Sequence, residues 1–256
     1  MKTENFSLSN KVALITGAGR GIGKSIALGF AAAGANVVAI SRTISEIEQT
    51  CEAVKACNVK GLPLVCDVGN AIEVRETVKR ALVEFGQIDV LVNNAGISPF
   101  VVPIENIRED GWNRVINVNL NSVFLFTQEV GRQMIVRQKG KVINMTSIGG
   151  VVGLQGQAAY CVSKAGIIML TKMFALEWGK YQINVNALGP GIVETQLTEK
   201  FRQDRDIVQD RLKRIPLNRF AAPDEMVGAA LFLASDLSNY MTGQTIFIDG
   251  GRLTGV

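Results

Sequence analysis

Seven short apolar runs, separated by longer helical patterns, constrain the fold of this 256-residue chain more than any other feature. The runs fall at 11–16, 36–41, 61–66, 88–92, 141–145, 183–187 and 245–248. Most are nearly continuous in Val, Ile, Leu and Ala, as expected of parallel strands covered on both faces, not of half-exposed strands that alternate with polar residues. Helical spacing fills the gaps at 22–33, 45–56, 71–85, 109–137, 158–180, 199–214 and 223–234. The alternation predicts an α/β fold: a single domain over 1–256, built on one doubly wound seven-stranded parallel sheet with helices on both faces. Right-handed crossovers then bring the C-terminal ends of the strands to one edge, where ligands bind.

Composition removes several function classes. Lys and Arg number 27 against 23 Asp and Glu, and the basic residues are scattered, so nucleic acid is not an expected partner. The apolar runs read as too short and interrupted to span a membrane, and residues 1–10 lack a leader's apolar stretch; a cytoplasmic location is expected. The chain has no histidine, which excludes a Ser-His-Asp triad, a Cys-His pair and imidazole metal ligands. The four cysteines (Cys51, Cys57, Cys66 and Cys161) form no CxxC pair, so no metal is expected. Acid–base work must come from Tyr, Lys, Asp, Glu or Cys.

The first strand runs directly into Thr16-Gly17-Ala18-Gly19-Arg20-Gly21-Ile22-Gly23, a GxxxGxG pattern opening a helix. Glycines at Gly17, Gly21 and Gly23 permit a tight turn and a close backbone approach, and free N–H groups near Ile22 face a pyrophosphate. The GK[ST] ending of a nucleoside triphosphate loop is missing. This is the start of a Rossmann-type dinucleotide site. The second strand ends in Ser41-Arg42, where an acidic residue would accept from unphosphorylated ribose hydroxyls. Ser41, Arg42 and Arg20 instead suit a 2′-phosphate, which makes NADP(H) the expected cofactor. Glu46 and Glu48 lie nearby but on the following helix.

Tyr160-Cys161-Val162-Ser163-Lys164 is a YxxxK, whose i and i+4 residues share a helix face. A free phenol titrates near 10 and is a poor acid or base at neutrality; a nearby cation lowers that value. Ser147 follows a buried strand, thirteen residues upstream of Tyr160, and its hydroxyl can face the phenol and a substrate carbonyl oxygen. Asn93-Asn94-Ala95-Gly96 follows the fourth strand, where amides can fix backbone beside a cofactor; an Asn-rich turn is the plainer alternative. Gly189-Pro190-Gly191-Ile192-Val193-Glu194-Thr195 follows the sixth, with Thr195 placed to hold a carboxamide.

In order along nearly the whole chain, these segments, with Cys66-Asp67-Val68, residues 117–124 and residues 248–251, resemble the short-chain dehydrogenase/reductase family. The resemblance implies that Tyr160 is the general acid/base, that Lys164 holds the nicotinamide ribose and lowers the Tyr160 pKa, and that Ser147 donates to the carbonyl oxygen. It gives Asn119 a part in a water-mediated proton relay through Lys164. Asp67 and Val68 would flank the adenine, Asn94 would lie near its ribose, and Ala95, Gly96, Pro190, Gly191, Ile192, Val193 and Thr195 would line the cofactor. It also implies a homotetramer through the long helices.

The reaction so implied is hydride transfer between nicotinamide and a ketone or secondary alcohol. The substrate segment is expected at about 190–215, with Ile97, Ile148, Leu154, Ile192, Val193 and Leu197 as aliphatic walls. Residues 175–191 and 216–220 are similar to sugar-acid and polyol dehydrogenases of the family, which makes such a molecule, or a small ketone, the expected substrate. The alternative is a 3-oxoacyl-carrier-protein reductase. Members of that type carry basic residues for the carrier where this chain has Gln138 and Tyr181, although Arg137, Lys139 and Lys180 are adjacent. A non-catalytic dinucleotide sensor is the remote alternative; the intact Ser147, Tyr160 and Lys164 set argues against it.

Overall fold

A computed structural model describes residues 6–255. Its strands are β1 (Val12–Thr16), β2 (Asn36–Ser41), β3 (Gly61–Val65), β4 (Val90–Asn93), β5 (Gly140–Met145), β6 (Ile183–Pro190) and β7 (Thr245–Ile248). They form one sheet in the order β3-β2-β1-β4-β5-β6-β7, with every pairing parallel. The chain reverses its direction of winding between β1 and β4, which opens a crevice beyond the C-terminal ends of these two strands.

Alternating side chains assign the two faces. Ala13, Ile15, Val37, Ala39, Val90 and Val92 pack with α1 (Gly21–Ala32), α2 (Ile44–Lys55) and α9 (Val227–Ala234). Val12, Leu14, Val38, Ile40, Leu91 and Val142 pack with α3 (Ala71–Phe85), α5 (Ser122–Arg137) and α6 (Ala158–Trp178). Both faces of one strand are therefore apolar, which is why the runs read as continuous. Each fully buried side chain of this size, Phe30 and Phe126 among them, contributes about 1.5–3 kcal/mol.

Helix ends follow local chemistry. Asn70 caps α3, its side-chain oxygen accepting from Ile72 N and Glu73 N, and Gly86 ends the helix at φ 75°. By contrast, α1 begins at Arg20 with no side-chain cap and no acidic residue in its first turn. Its orphan N–H groups are left to the crevice.

Three expectations need correction. The predicted helix over 109–137 is interrupted: α4 (Glu109–Ile116) passes through a π turn at Asn117–Asn121 before α5. The region 199–214 is two helices, α7 (Gln196–Arg202) and α8 (Arg205–Leu212), because Asp204 caps the second by accepting from Asp206 N and Ile207 N. The stretch Ala158–Tyr181, whose most apolar 18 residues have a mean hydropathy of 1.4, is by length and composition alone long and apolar enough to cross a membrane, contrary to the reading that every apolar run is short. Here Ile167, Thr171, Phe174 and Trp178 are buried within it, and Phe174 and Trp178 pack in the core cluster against the sheet.

Candidate active site

The crevice is built from the ends of six strands, β1 to β6. After β1 the turn takes Gly17 to φ 67° and Gly21 to φ 54°, conformations that side chains strain to adopt. A Cβ on Gly23 would lie 2.2 Å from the Gly17 carbonyl oxygen. Thr16 and Asn94 lock this turn to the end of β4. Asn94 N and Ala95 N both donate to Thr16 Oγ1, at 2.9 and 3.0 Å, and Asn94 Nδ2 donates to Thr16 O and Gly17 O. The Asn94 amide thus fixes backbone, as its sequence position suggested.

After β2 stand the residues expected to suit a 2′-phosphate. Ser41 Oγ donates to Thr43 O and accepts from Thr43 N, so it serves the start of α2. Arg42 is exposed, and no salt bridge among the described residues includes it. Arg20 donates to Glu46 at 3.1 Å. After β3, Asp67 is exposed and accepts from Gly69 N, while Val68 is buried in the core beside the crevice.

The π turn aims the buried Asn119 at the loop after β4. Its Oδ1 accepts from Ile97 N at 2.8 Å and its Nδ2 donates to Ile97 O and to Ser163 Oγ. The side chain is thereby committed to positioning, and Ser163 in turn donates to Tyr160 O. Leu120 sits where a Cβ on Gly166 would be, so the turn packs tightly on α6. A side chain on Gly96 would lie 3.5 Å from both Asn119 Oδ1 and Lys164 Nζ. The loop after β4 therefore closes over both residues.

Ser147 stands just beyond β5, buried, and accepts from Gly149 N at 3.1 Å, which leaves its O–H free to donate. Tyr160, near the start of α6, is partly exposed at the crevice. Burial pushes its phenol above the ordinary value, against the pull of the adjacent Ser147 hydroxyl; the Cys161 thiol also pushes it up. Lys164 is 5% exposed, donates to Met145 O at 2.8 Å, and lies 5.7 Å from the Tyr160 ring centroid. Burial lowers its pKa to about 8. Lys164 Nζ faces the Met145 carbonyl, and burial is the largest influence on both groups.

After β6, Gly191 approaches β7 so closely that a Cβ would fall 2.7 Å from Asp249 Cα. Ile192 O and Glu194 N bond Ala221, and Thr195 lies over the glycine turn, its Cγ2 3.2 Å from the Cβ position of Gly21. The expected wall residue Val193 is instead 3% exposed within the core, because the bridge to Ala221 turns its side chain inward. Pro190 ends β6, Ile192 is half-buried and Leu197 is exposed.

Sequence reasoning passed over Thr50, gave Thr16 and Ser163 no role of their own within their motifs, and set Glu46 aside as lying on the following helix. Thr50 is fully buried and donates to both Ala18 O and Glu46 O, pinning α2 against the glycine turn. Its i+4 spacing from Glu46 was visible; the packing of α2 on the turn was not.

The family described as Enoyl-(Acyl carrier protein) reductase matches residues 17–252. A 3-oxoacyl-[acyl-carrier-protein] reductase of Thermotoga maritima is 43% identical over 95% of this chain and 98% of its own. A 2-dehydro-3-deoxy-D-gluconate 5-dehydrogenase of Dickeya dadantii is 40% identical over 99% of both chains. A crystal structure of a gluconate 5-dehydrogenase from Burkholderia cenocepacia J2315, in complex with NADP and tartrate, superimposes with a TM-score of 0.95 at 37% identity, covering 99% of each chain. The chain belongs to the short-chain dehydrogenase/reductase family and is an oxidoreductase.

Proposed function

We propose that this chain is an NADP(H)-dependent oxidoreductase acting on a sugar-acid, polyol or small ketone substrate, with Tyr160 as proton donor and acceptor. The observation that carries the reading is the convergence of Ser147, Tyr160 and Lys164 at the sheet edge that also holds the uncapped start of α1. The glycine cradle fits a dinucleotide: at Gly17, Gly21 and Gly23 a Cβ would strain or fill the turn. Residues 17–23, with Asn94, Ala95 and Gly96, Asp67 and Val68, and Pro190 to Thr195, would hold it; Val193 can contribute only backbone. When bound, the cofactor supplies or accepts the hydride.

The chain's own residues handle the oxygen and its proton. The free Ser147 O–H donates to the carbonyl oxygen, where negative charge grows during reduction. Tyr160, protonated at neutral pH as an ordinary phenol is, gives its proton to that oxygen. Lys164 holds its ammonium against Met145 O, beside the phenol, where it can favour the phenolate left behind. Asn119 keeps the loop after β4 closed through Ile97. The reverse reaction, alcohol oxidation, needs the phenolate and so gains from high pH.

Dickeya and Burkholderia relatives support a sugar-acid substrate; the Thermotoga relative supports a 3-oxoacyl carrier as the second reading. Arg137 weighs against the carrier. Its guanidinium is bound to Asp89 and to Ile88 O and is not presented to an acidic partner. The reading includes one domain, a substrate segment at about 190–215, a cytoplasmic location and a homotetramer. Exposed Phe124, Met169, Met173 and Leu176 on α5 and α6 support the last.

The test is loss of reduced-nicotinamide absorbance with a keto-sugar acid, a simple aryl ketone and a 3-oxoacyl thioester, using NADPH and NADH in parallel. Turnover of the keto-sugar acid or ketone with NADPH is expected. Turnover of the thioester alone would replace this reading by the second. Tight cofactor binding without turnover of any would point to the sensor.

A further inference from the structure

We infer that Glu46 is a specificity-determining residue: it sits in the seat of the cofactor's 2′-phosphate, weakens the preference for the phosphorylated dinucleotide and gives the unphosphorylated one an acceptor for its ribose hydroxyl. The inference rests on the dinucleotide reading above. Glu46 does not merely lie near the glycine turn. A Cβ on Gly19 would meet Glu46 Oε2 at 2.7 Å and Glu46 Cβ at 2.8 Å, and Ser41 Oγ at 3.4 Å. The carboxylate therefore covers Gly19, between the turn and the end of β2, and Gly19 is buried beneath it. Its Oε1 accepts from Arg20 at 3.1 Å.

The position is held firmly. Thr50 Oγ1 bonds Glu46 O and Ala18 O together, so the first turn of α2 cannot drift from the glycine turn. The ion pair itself is weak, because both side chains are substantially solvated: Arg20 is 59% exposed and Glu46 31%. A phosphate can thus displace Glu46 from Arg20, but it must accept a carboxylate as neighbour, and like charges at short range oppose binding. A ribose 2′-hydroxyl carries no charge and can donate to that same carboxylate. Ser41, bound to Thr43, leaves Arg20 and Arg42 as the cations against which Glu46 is set.

The experiment measures Kd for NADPH and NADH on the full chain, with the variants E46Q and E46A, each alone and combined with R20Q; thermal melts check folding. Loss of the negative charge is expected to tighten NADPH about tenfold, the factor that corresponds to 1.4 kcal/mol, and to weaken NADH. In the R20Q background NADPH should bind more weakly overall, but most of the gain should remain, because the repulsion between carboxylate and phosphate is relieved with or without the cation. Unchanged or weaker NADPH binding in both Glu46 variants would overturn the inference, as would equal gains for both cofactors. A wild-type chain that binds neither cofactor would overturn the dinucleotide reading itself, which separates the two failures.

Discussion

Lys141 stands at the start of β5, and Lys164 reaches the carbonyl at its end. Burial lowers both ammoniums to about 8. At the start of the strand, Lys141 donates to Ser238 Oγ at 3.1 Å and to Asn239 Oδ1 at 2.8 Å, with the Lys11–Asp236 pair beside it. Its partners come from the segment after α9 and tie that segment to the sheet. At the far end, Lys164 has one partner, Met145 O, and opens toward Tyr160, Gly96 and Asn119. A perturbed lysine alone therefore identifies neither site. What differs is the surroundings: a closed set of neutral acceptors at one edge, and at the other an incomplete set beside a phenol, a serine hydroxyl and an uncapped helix.

The sharpest way to break this contrast is Tyr160→Phe. It should lower turnover by about 10²–10⁴-fold, the usual worth of a positioned proton donor, with cofactor affinity nearly intact; normal turnover would remove Tyr160 from the chemistry. Next is Gly23→Ala, which places a Cβ against the Gly17 carbonyl oxygen. It should cost about 1–3 kcal/mol of stability, read by denaturant melts, and weaken dinucleotide binding. A smaller effect lies in pH. Ketone reduction should slow, and alcohol oxidation should quicken, as pH rises toward the raised Tyr160 pKa, checked by paired rate profiles. The smallest is on stability. Lys141 binds its proton less tightly folded than unfolded, so its own contribution to stability rises with pH between about 8 and its ordinary 10.5, against the buried Cys51 and Cys66 thiols, whose raised pKa values of about 11 work the other way. Lys141→Met should remove that contribution, so Tm in the variant should gain less, or lose more, over this pH range than in the wild type.

Much of this was legible in the sequence, for identifiable reasons. The strands could be read because both sheet faces are covered, so their residues are continuously apolar. The 109–137 interruption was not legible: Asn117–Asn121 keep a helical spacing, and apolar periodicity does not separate a π turn from an α turn. Asp204 was a readable cap within 199–214, hidden by the helical pattern on either side. Ser147, Tyr160 and Lys164 were found because a strand end and an i, i+4 helix pair fix their places. The arrangement around Arg20 was not, since it depends on α2 packing over Gly19, a tertiary contact that no local pattern encodes.

The most direct test of the account compares kcat/KM for NADPH-dependent reduction of the best carbonyl substrate in Lys164→Met and Lys141→Met. The account predicts a loss of about 10²-fold or more for Lys164→Met, and a wild-type rate for Lys141→Met. Equal losses in the two variants, or a wild-type rate for Lys164→Met, would contradict it.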